Sequence, residues 1–211
     1  MTPQAALERG LGELELPLDE SKREQLLRYL ELLAKWNRTY NLTAIREPLK
    51  MVSHHVLDSL AVLPHLPMAA EDCLADVGSG AGLPGVPLAI ARPDWRVTLN
   101  DAAEKKTAFL RQAAIELGLR NVAVHEGRVE EWRPPQAFAV VISRAFAELG
   151  KLIASCGHLV ARGGALAAMK GADARSEVRQ APSEWNCAQV RRLQVPFLDG
   201  ERHLVLCRCT S

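Results

Sequence analysis

The sequence predicts an α/β fold: a mainly parallel, doubly wound sheet with an antiparallel edge, preceded by a helical N-terminal extension. Three observations carry this expectation. From Cys73 onward, short apolar runs alternate with helical stretches, the rhythm of strand–helix–strand units. The run FAVVISRA (138–145) is continuously apolar through Ile142, as a strand buried on both faces should be. A glycine-rich turn at 78–85 stands between the first strand and first helix of that rhythm, where open α/β sheets bind their ligands.

Each element has its own signal. Asp19 is an N-cap ahead of KREQLLRYLELLAKWNRTYNL, whose Leu26, Leu30, Leu33 and Trp36 share one helical face. Residues 48–63 form a second amphipathic stretch, with Met51, His55, Leu57, Leu60 and Val62 among polar residues. His55 and Asp58 are three apart there, on one side of a helix and in reach of a mutual hydrogen bond. Pro64 and Pro67 end this part. We therefore expect a helical extension over 1–70 and a ligand-binding domain over 71–211, packed as one unit. Strands are expected at CLADVGS (73–79), VTLND (97–101), VAVHEG (122–127), FAVVISRA and ALAAMK (165–170). Helices are expected at 83–91 with Pro84 in the first turn, at 104–118 stopped by Gly118, and near 147–161. The end reads as two strands, CAQVRRLQVPFL and HLVLCRC, with Asp199-Gly200 as a hairpin signal between them.

Composition narrows the function. The 211 residues are 48% hydrophobic and 24% charged, an ordinary globular mix that excludes disordered, collagen-like and disulfide-dense chains. Lys and Arg number 26 against 25 Asp and Glu, a formal net charge of +1. Any binding of RNA must then rest on a local patch rather than on bulk charge. Aromatics at 5% argue against a base-stacking platform. No apolar run approaches the ~18 residues of a membrane span, and Glu8, Glu13 and Glu15 interrupt any secretion signal. Cys73, Cys156, Cys187, Cys207 and Cys209 form an odd, scattered set, expected to be reduced thiols in a cytosol without a metal site.

The glycine turn reads Asp76-Val77-Gly78-Ser79-Gly80-Ala81-Gly82-Leu83-Pro84-Gly85. Two cofactor classes fit it. Gly80, Gly82 and Gly85 have the spacing of a dinucleotide site, while Asp76, Gly78, Gly80 and Gly82 have the acidic-x-G-x-G-x-G spacing of S-adenosylmethionine sites. Asp76 is awkward for a pyrophosphate at a helix N-terminus and suits a cationic methionine end. Asp101 ends the next strand at the same edge, where a carboxylate accepts from ribose hydroxyls of either cofactor. Gly127-Arg128-Val129-Glu130 follows the third strand, beside the expected place of an adenine ring. Arg144 ends a buried apolar strand and needs an anionic or acceptor partner, either an ion pair or a ligand at the rim. An NAD-dependent oxidoreductase and a non-catalytic binding module are the readings from other classes. Asp76 and the lack of a separate substrate domain weigh against the first. The intact loop, Asp101 and Arg144 weigh against the second.

The motifs KWNRTYNLT (35–43), HHVLDS (54–59), DVGSGAGLPGVPLAI (76–90), FLRQ (109–112), RVEE (128–131), ISRAFA (142–147), MKG (169–171) and LDGERHLV (198–205) run through nearly the whole chain. This set resembles the bacterial 16S ribosomal RNA methyltransferase G family, also called the glucose-inhibited division protein B family. The resemblance implies a class I, Rossmann-like S-adenosylmethionine-dependent methyltransferase fold with an N-terminal helical extension. It implies methyl transfer to N7 of one guanine in a 16S rRNA hairpin loop near the decoding centre. It implies cofactor contacts at Gly78, Leu83, Val129, Glu130 and Arg144, and gives Asp101 the ribose-binding position. Arg144 is also the expected catalytic residue, toward guanine O6, a phosphate or the cofactor carboxylate. Asn41, His55, Arg128 and Lys170 are the expected RNA-facing residues; Trp36 and Tyr40 read as packing. Two departures stand out: AAEKK follows Asp101 where relatives often carry a small hydroxyl residue, and His54 stands where relatives often have Arg, which weakens a phosphate contact at neutral pH. Guanine N7 carries a free lone pair in the major groove and loses no proton, so the want of an acid–base dyad agrees with catalysis by positioning. The expected setting is a cytoplasmic monomer acting on 16S rRNA in the 30S subunit or an assembly precursor, with no membrane and no metal.

Overall fold

The computed structural model describes residues 1–145 and 148–209; Phe146 and Ala147 of the ISRAFA motif lie outside the described residues. Strands β1 (Cys73–Val77), β2 (Arg96–Asp101), β3 (Val122–Glu126), β4 (Phe138–Arg144), β5 (Val160–Lys170), β6 (Trp185–Leu193) and β7 (Arg202–Cys209) form one sheet in the order β3-β2-β1-β4-β5-β7-β6. The first five pair in parallel, and β7 runs antiparallel between β5 and β6. The expected fold class holds, including its antiparallel edge. Strand order reverses between β1 and β4, so the chain leaves these two strands in opposite directions and opens a crevice at their carboxyl ends.

Helices α1 (Pro3–Glu13), α2 (Glu20–Tyr40), α3 (Pro48–Met51), α4 (Asp58–Leu60), α5 (Gly85–Ala91) and α6 (Glu104–Glu116) cover one face of the sheet, and α7 (Leu149–Cys156) and α8 (Ala174–Val178) the other. The period of two decides which side chain goes where. Leu74, Val140, Ile142, Ala167 and Leu204 enter the first core; their neighbours Ala75, Val141, Leu166, Ala168 and Val205 enter the second. The first core also contains Leu7, Leu26, Leu33, Val56 and Leu60, so the N-terminal helices and the sheet share one apolar interior. Asp19 caps α2, its Oδ1 accepting from the Lys22 N–H at 2.9 Å. Gln25 and Arg28 on α2 donate to the carbonyls of Leu117 (2.9 Å) and Glu116 (3.0 Å), groups that the end of α6 leaves open. Trp36 packs edge-on against Phe109, ring centroids 5.6 Å apart.

Several expectations change. Residues 51–62 are buried throughout apart from His54, so the second stretch is a central helix rather than an amphipathic one, and a π-helical segment (Val52–Leu57) joins α3 to α4. Pro84 stands one place before α5, at its N-cap. β5 begins at Val160 and contains Gly163 and Gly164. A Cβ on Gly164 would sit 2.7 Å from the Ala139 carbonyl oxygen, so glycine is needed for close backbone approach. β6 ends at Leu193, and residues 194–201 form a longer link than a tight hairpin. Buried Pro196 lies in that link and has no N–H to extend the ladder. Cys187 and Cys207 are bridged rather than reduced, because a register shift between Asn186 and Gln189 turns Cys187 toward Cys207 on the α7–α8 face. Cys73 and Cys156 are free thiols.

Candidate functional site

Residues 78–83 link β1 to α5 at the crevice. Gly78, Gly80 and Gly82 have φ of 68°, 59° and 87°, backbone that side-chain-bearing residues rarely adopt. The nearest atom to a Cβ on Gly80 would be the Gly78 carbonyl oxygen at 3.9 Å, so the outer side of the loop is open. The loop is fastened from β2: Ser79 N–H donates to the Asn100 carbonyl (2.9 Å) and Gly80 N–H to Asp101 Oδ2 (3.0 Å). It is fastened from α2 as well, where the Tyr29 hydroxyl donates to the Ala81 carbonyl at 2.6 Å. Sequence reasoning missed Tyr29. Its signal was a tyrosine among the apolar residues of α2, whose hydroxyl must find a partner when buried.

Asp76 lies beneath the loop, fully buried, with Oδ2 accepting from the Gly85 N–H at 2.8 Å and Oδ1 without a partner. Burial pushes its pKa up to about 7, against the lowering effects of the Gly85 N–H, Ser79 and Arg144. Asp101 Oδ1 accepts from the Ala103 N–H (3.0 Å), and Oδ2 also receives Lys106 Nζ (3.2 Å). Asn100 Nδ2 donates to the Gly127 carbonyl (2.9 Å) and fixes the exit from β3. There Val129 is buried and Arg128 is exposed, and Leu83 is buried at the end of the glycine loop. Glu130 turns toward α7, its Oε1 accepting from the Ser155 hydroxyl at 3.2 Å.

A second group lies beyond β4 and β5. A cavity of about 320 Å³ is lined by His54, His55, Asp58, Arg144, Lys170 and Arg202 among others. Asp58 is its hub: Oδ2 meets Arg144 Nη1 at 3.0 Å, and Oδ1 meets Arg202 Nε at 3.2 Å. Arg144 Nη1 also donates to the His54 carbonyl at 2.7 Å. The expected His55–Asp58 hydrogen bond is not formed. The wider π-helical turn takes residues three apart out of line, and His55 Nε2 instead meets Thr43 Oγ1 at 3.0 Å, leaving Nδ1 unpartnered. Lys170 pairs with Glu177 at 2.8 Å. Asn41 lies outside the cavity as the left-handed C-cap of α2, accepting from Arg46 Nη2 at 2.8 Å. Three of the expected residues, His55, Arg144 and Lys170, thus converge on one cavity; Asp58 and Arg202 join them. Among the described residues no group of three His, Cys, Asp or Glu side chains is arranged to hold a metal ion.

Burial, and secondarily the Arg144 charge, push the His55 pKa from 6.5 down to about 4. The native ring therefore excludes a proton that the unfolded chain accepts. Its contribution to stability is complete above pH 6.5 and is lost as pH falls toward 4, at up to about 1.4 kcal/mol per unit. His55→Gln, which can keep the Thr43 contact, is expected to flatten this acid limb. Thermal melts of both proteins from pH 7 to 4.5 check it; parallel curves would contradict it.

The sequence model of a family described as rRNA small subunit methyltransferase G matches residues 22–205. A ribosomal RNA small subunit methyltransferase G of Laribacter hongkongensis is 50% identical over 205 residues, covering 97% of this chain and 98% of that protein. One from Chromobacterium violaceum is 51% identical over 201 residues, covering 95% of each. Among solved structures, coclaurine N-methyltransferase bound to N-methylheliamine and SAH superposes with a TM-score of 0.59 at 12% identity, covering 90% of this chain and 73% of that one. The ribosomal protein L11 methylase of Lactobacillus delbrueckii subsp. bulgaricus superposes with a TM-score of 0.56 at 16% identity, covering 74% and 77%. At these identities the structural matches speak for the fold alone.

Proposed function

The chain belongs to the rRNA small subunit methyltransferase G family, and on that premise we propose that it transfers a methyl group from S-adenosylmethionine to N7 of one guanine of 16S rRNA, in a small-subunit hairpin loop near the decoding centre. The observation that carries the reading is the loop of three left-handed glycines fastened to Asp101. S-Adenosylmethionine, when bound, supplies an electrophilic methyl group on a sulfonium. The residues present fit it. The loop is open at Gly80, and Asp76 places an unpartnered oxygen beneath. Asp101 offers about four acceptor positions and uses three, which leaves room for a ribose hydroxyl. Gly78, Gly82 and Leu83 shape the loop that would hold the methionine end. Val129 and Glu130, through their backbone, would border the adenine.

Guanine N7 needs no base, so the chain's task is to hold the acceptor in line. Arg144, anchored on Asp58, directs positive charge into the cavity and would hold guanine O6 or the adjoining phosphate. His55 is neutral there and takes no part as an acid. The Lys170 charge is balanced by Glu177; it would steady the cavity wall. Arg128 and Asn41 would meet the RNA strand outside. We take the N-terminal helices and the methyltransferase domain to act as one unit, as a cytoplasmic monomer working on the 30S subunit or an assembly precursor. The near-neutral net charge favours a preformed RNA shape over free RNA. Among the described residues no helix is long and apolar enough to cross a membrane.

The test is incubation with methyl-labelled S-adenosylmethionine and either unmethylated 30S subunits or bare 16S rRNA, across a salt series. Label in 16S rRNA, faster on the subunit, is expected. Equal rates on both would move the substrate to RNA alone, and no label despite cofactor binding would overturn the reading.

A further inference from the structure

We propose that Tyr29 is a positioning residue for the cofactor: from α2, its hydroxyl holds the Ala81 carbonyl and so sets the glycine loop in its binding shape. The inference rests on the assignment of residues 78–83 to S-adenosylmethionine. Tyr29 is fully buried and 52 residues from Ala81 in the chain. At 2.6 Å its hydrogen bond is a short one. Burial also raises the phenol well above its ordinary pKa, so the hydroxyl keeps its proton and remains a donor at working pH.

Ala81 stands between Gly80 and Gly82, both left-handed. Peptides flanked by glycine rotate at low cost, so this segment needs holding from outside. Two holds come from β2, through Asn100 and Asp101, and they act on Ser79 and Gly80. The third, on Ala81 itself, comes from α2. The N-terminal helices therefore do more than extend the fold; one of them completes the cofactor site. The charges of Arg144 and Asp76 both act on this hydroxyl.

Tyr29→Phe keeps the ring in the core and deletes only the hydroxyl. By calorimetry, the Kd for S-adenosylhomocysteine is expected to rise about 10-fold, on the scale of one lost buried hydrogen bond. KM for S-adenosylmethionine should rise with it, while kcat at saturating cofactor and KM for 30S subunits stay within twofold. Leu7→Ala, a buried truncation on α1, supplies the control for general destabilisation: it should lower Tm and leave the Kd within twofold. An unchanged Kd in Tyr29→Phe would overturn the proposal and reduce the hydroxyl to a stabilising contact. So would an equal rise in Leu7→Ala. Failure of the unaltered protein to bind S-adenosylhomocysteine is a separate result that would overturn the cofactor assignment together with the clamp.

Discussion

Asp58→Ala is expected to lower methyl transfer about 100-fold and stability by roughly 2–3 kcal/mol. The carboxylate side chain is 3% exposed and lies between Arg144 and Arg202. Its removal leaves two guanidinium groups on one cavity with no shared counter-charge. Breaking a fully buried pair costs about 3–5 kcal/mol. The arginine side chains here are 21% and 32% exposed and turn partly to water, so the cost falls at or just below the bottom of that range. For a domain of this size, 1 kcal/mol moves the melting midpoint by about 2–4 °C, so a fall of roughly 5–10 °C should be seen. The rate falls for a different reason. Arg144 loses one of its two anchors and keeps only the His54 carbonyl, and a misplacement of about 1 Å at a reacting site can cost 10²-fold. Single-turnover methylation, run below the melting range measured for both proteins, separates the two effects. A variant that melts early yet turns over normally would show that Asp58 only holds the fold.

Asp101→Ala should raise the cofactor Kd about 100-fold while leaving RNA affinity unchanged. The carboxylate orders the loop through Gly80 N–H and would receive the ribose. Hydrogen bonds to a charged acceptor are worth about 1.5–3 kcal/mol each, and two of the weaker ones amount to two decades. Asp101→Asn keeps the shape and one acceptor, and about 10-fold is expected. Titration with S-adenosylhomocysteine, beside filter binding of 16S rRNA, checks both halves. A Kd unchanged in the alanine variant would remove Asp101 from the site.

The fold was legible where a local pattern had one structural solution. The run FAVVI is short and rich in β-branched residues and so reads as a central strand, Asp19 before an apolar stripe can cap its helix, and Gly78, Gly80 and Gly82 together mark a left-handed loop after a strand. What stayed hidden depends on distant partners or on departures from ideal periods. The His55–Asp58 expectation assumed 3.6 residues per turn, and a π-helical segment breaks that count. Tyr29 looked like one more core residue because Ala81 lies far along the chain. Arg144 needed a partner, as its burial required, but Asp58 could be found only after helix and strand were docked. The Cys187–Cys207 bridge hinges on a register shift that no spacing announces.

N7 methylation gives the base a fixed positive charge, and borohydride followed by aniline then cuts the strand there. We would treat unmethylated 30S subunits with the protein and S-adenosylmethionine, extract the RNA and map the cuts by primer extension. Transfer to guanine N7 at a single site predicts one new cut, within a hairpin loop of 16S rRNA, absent when S-adenosylmethionine is omitted. Methyl label in the RNA with no new cut would contradict it, because the methyl group would then sit on an atom other than N7.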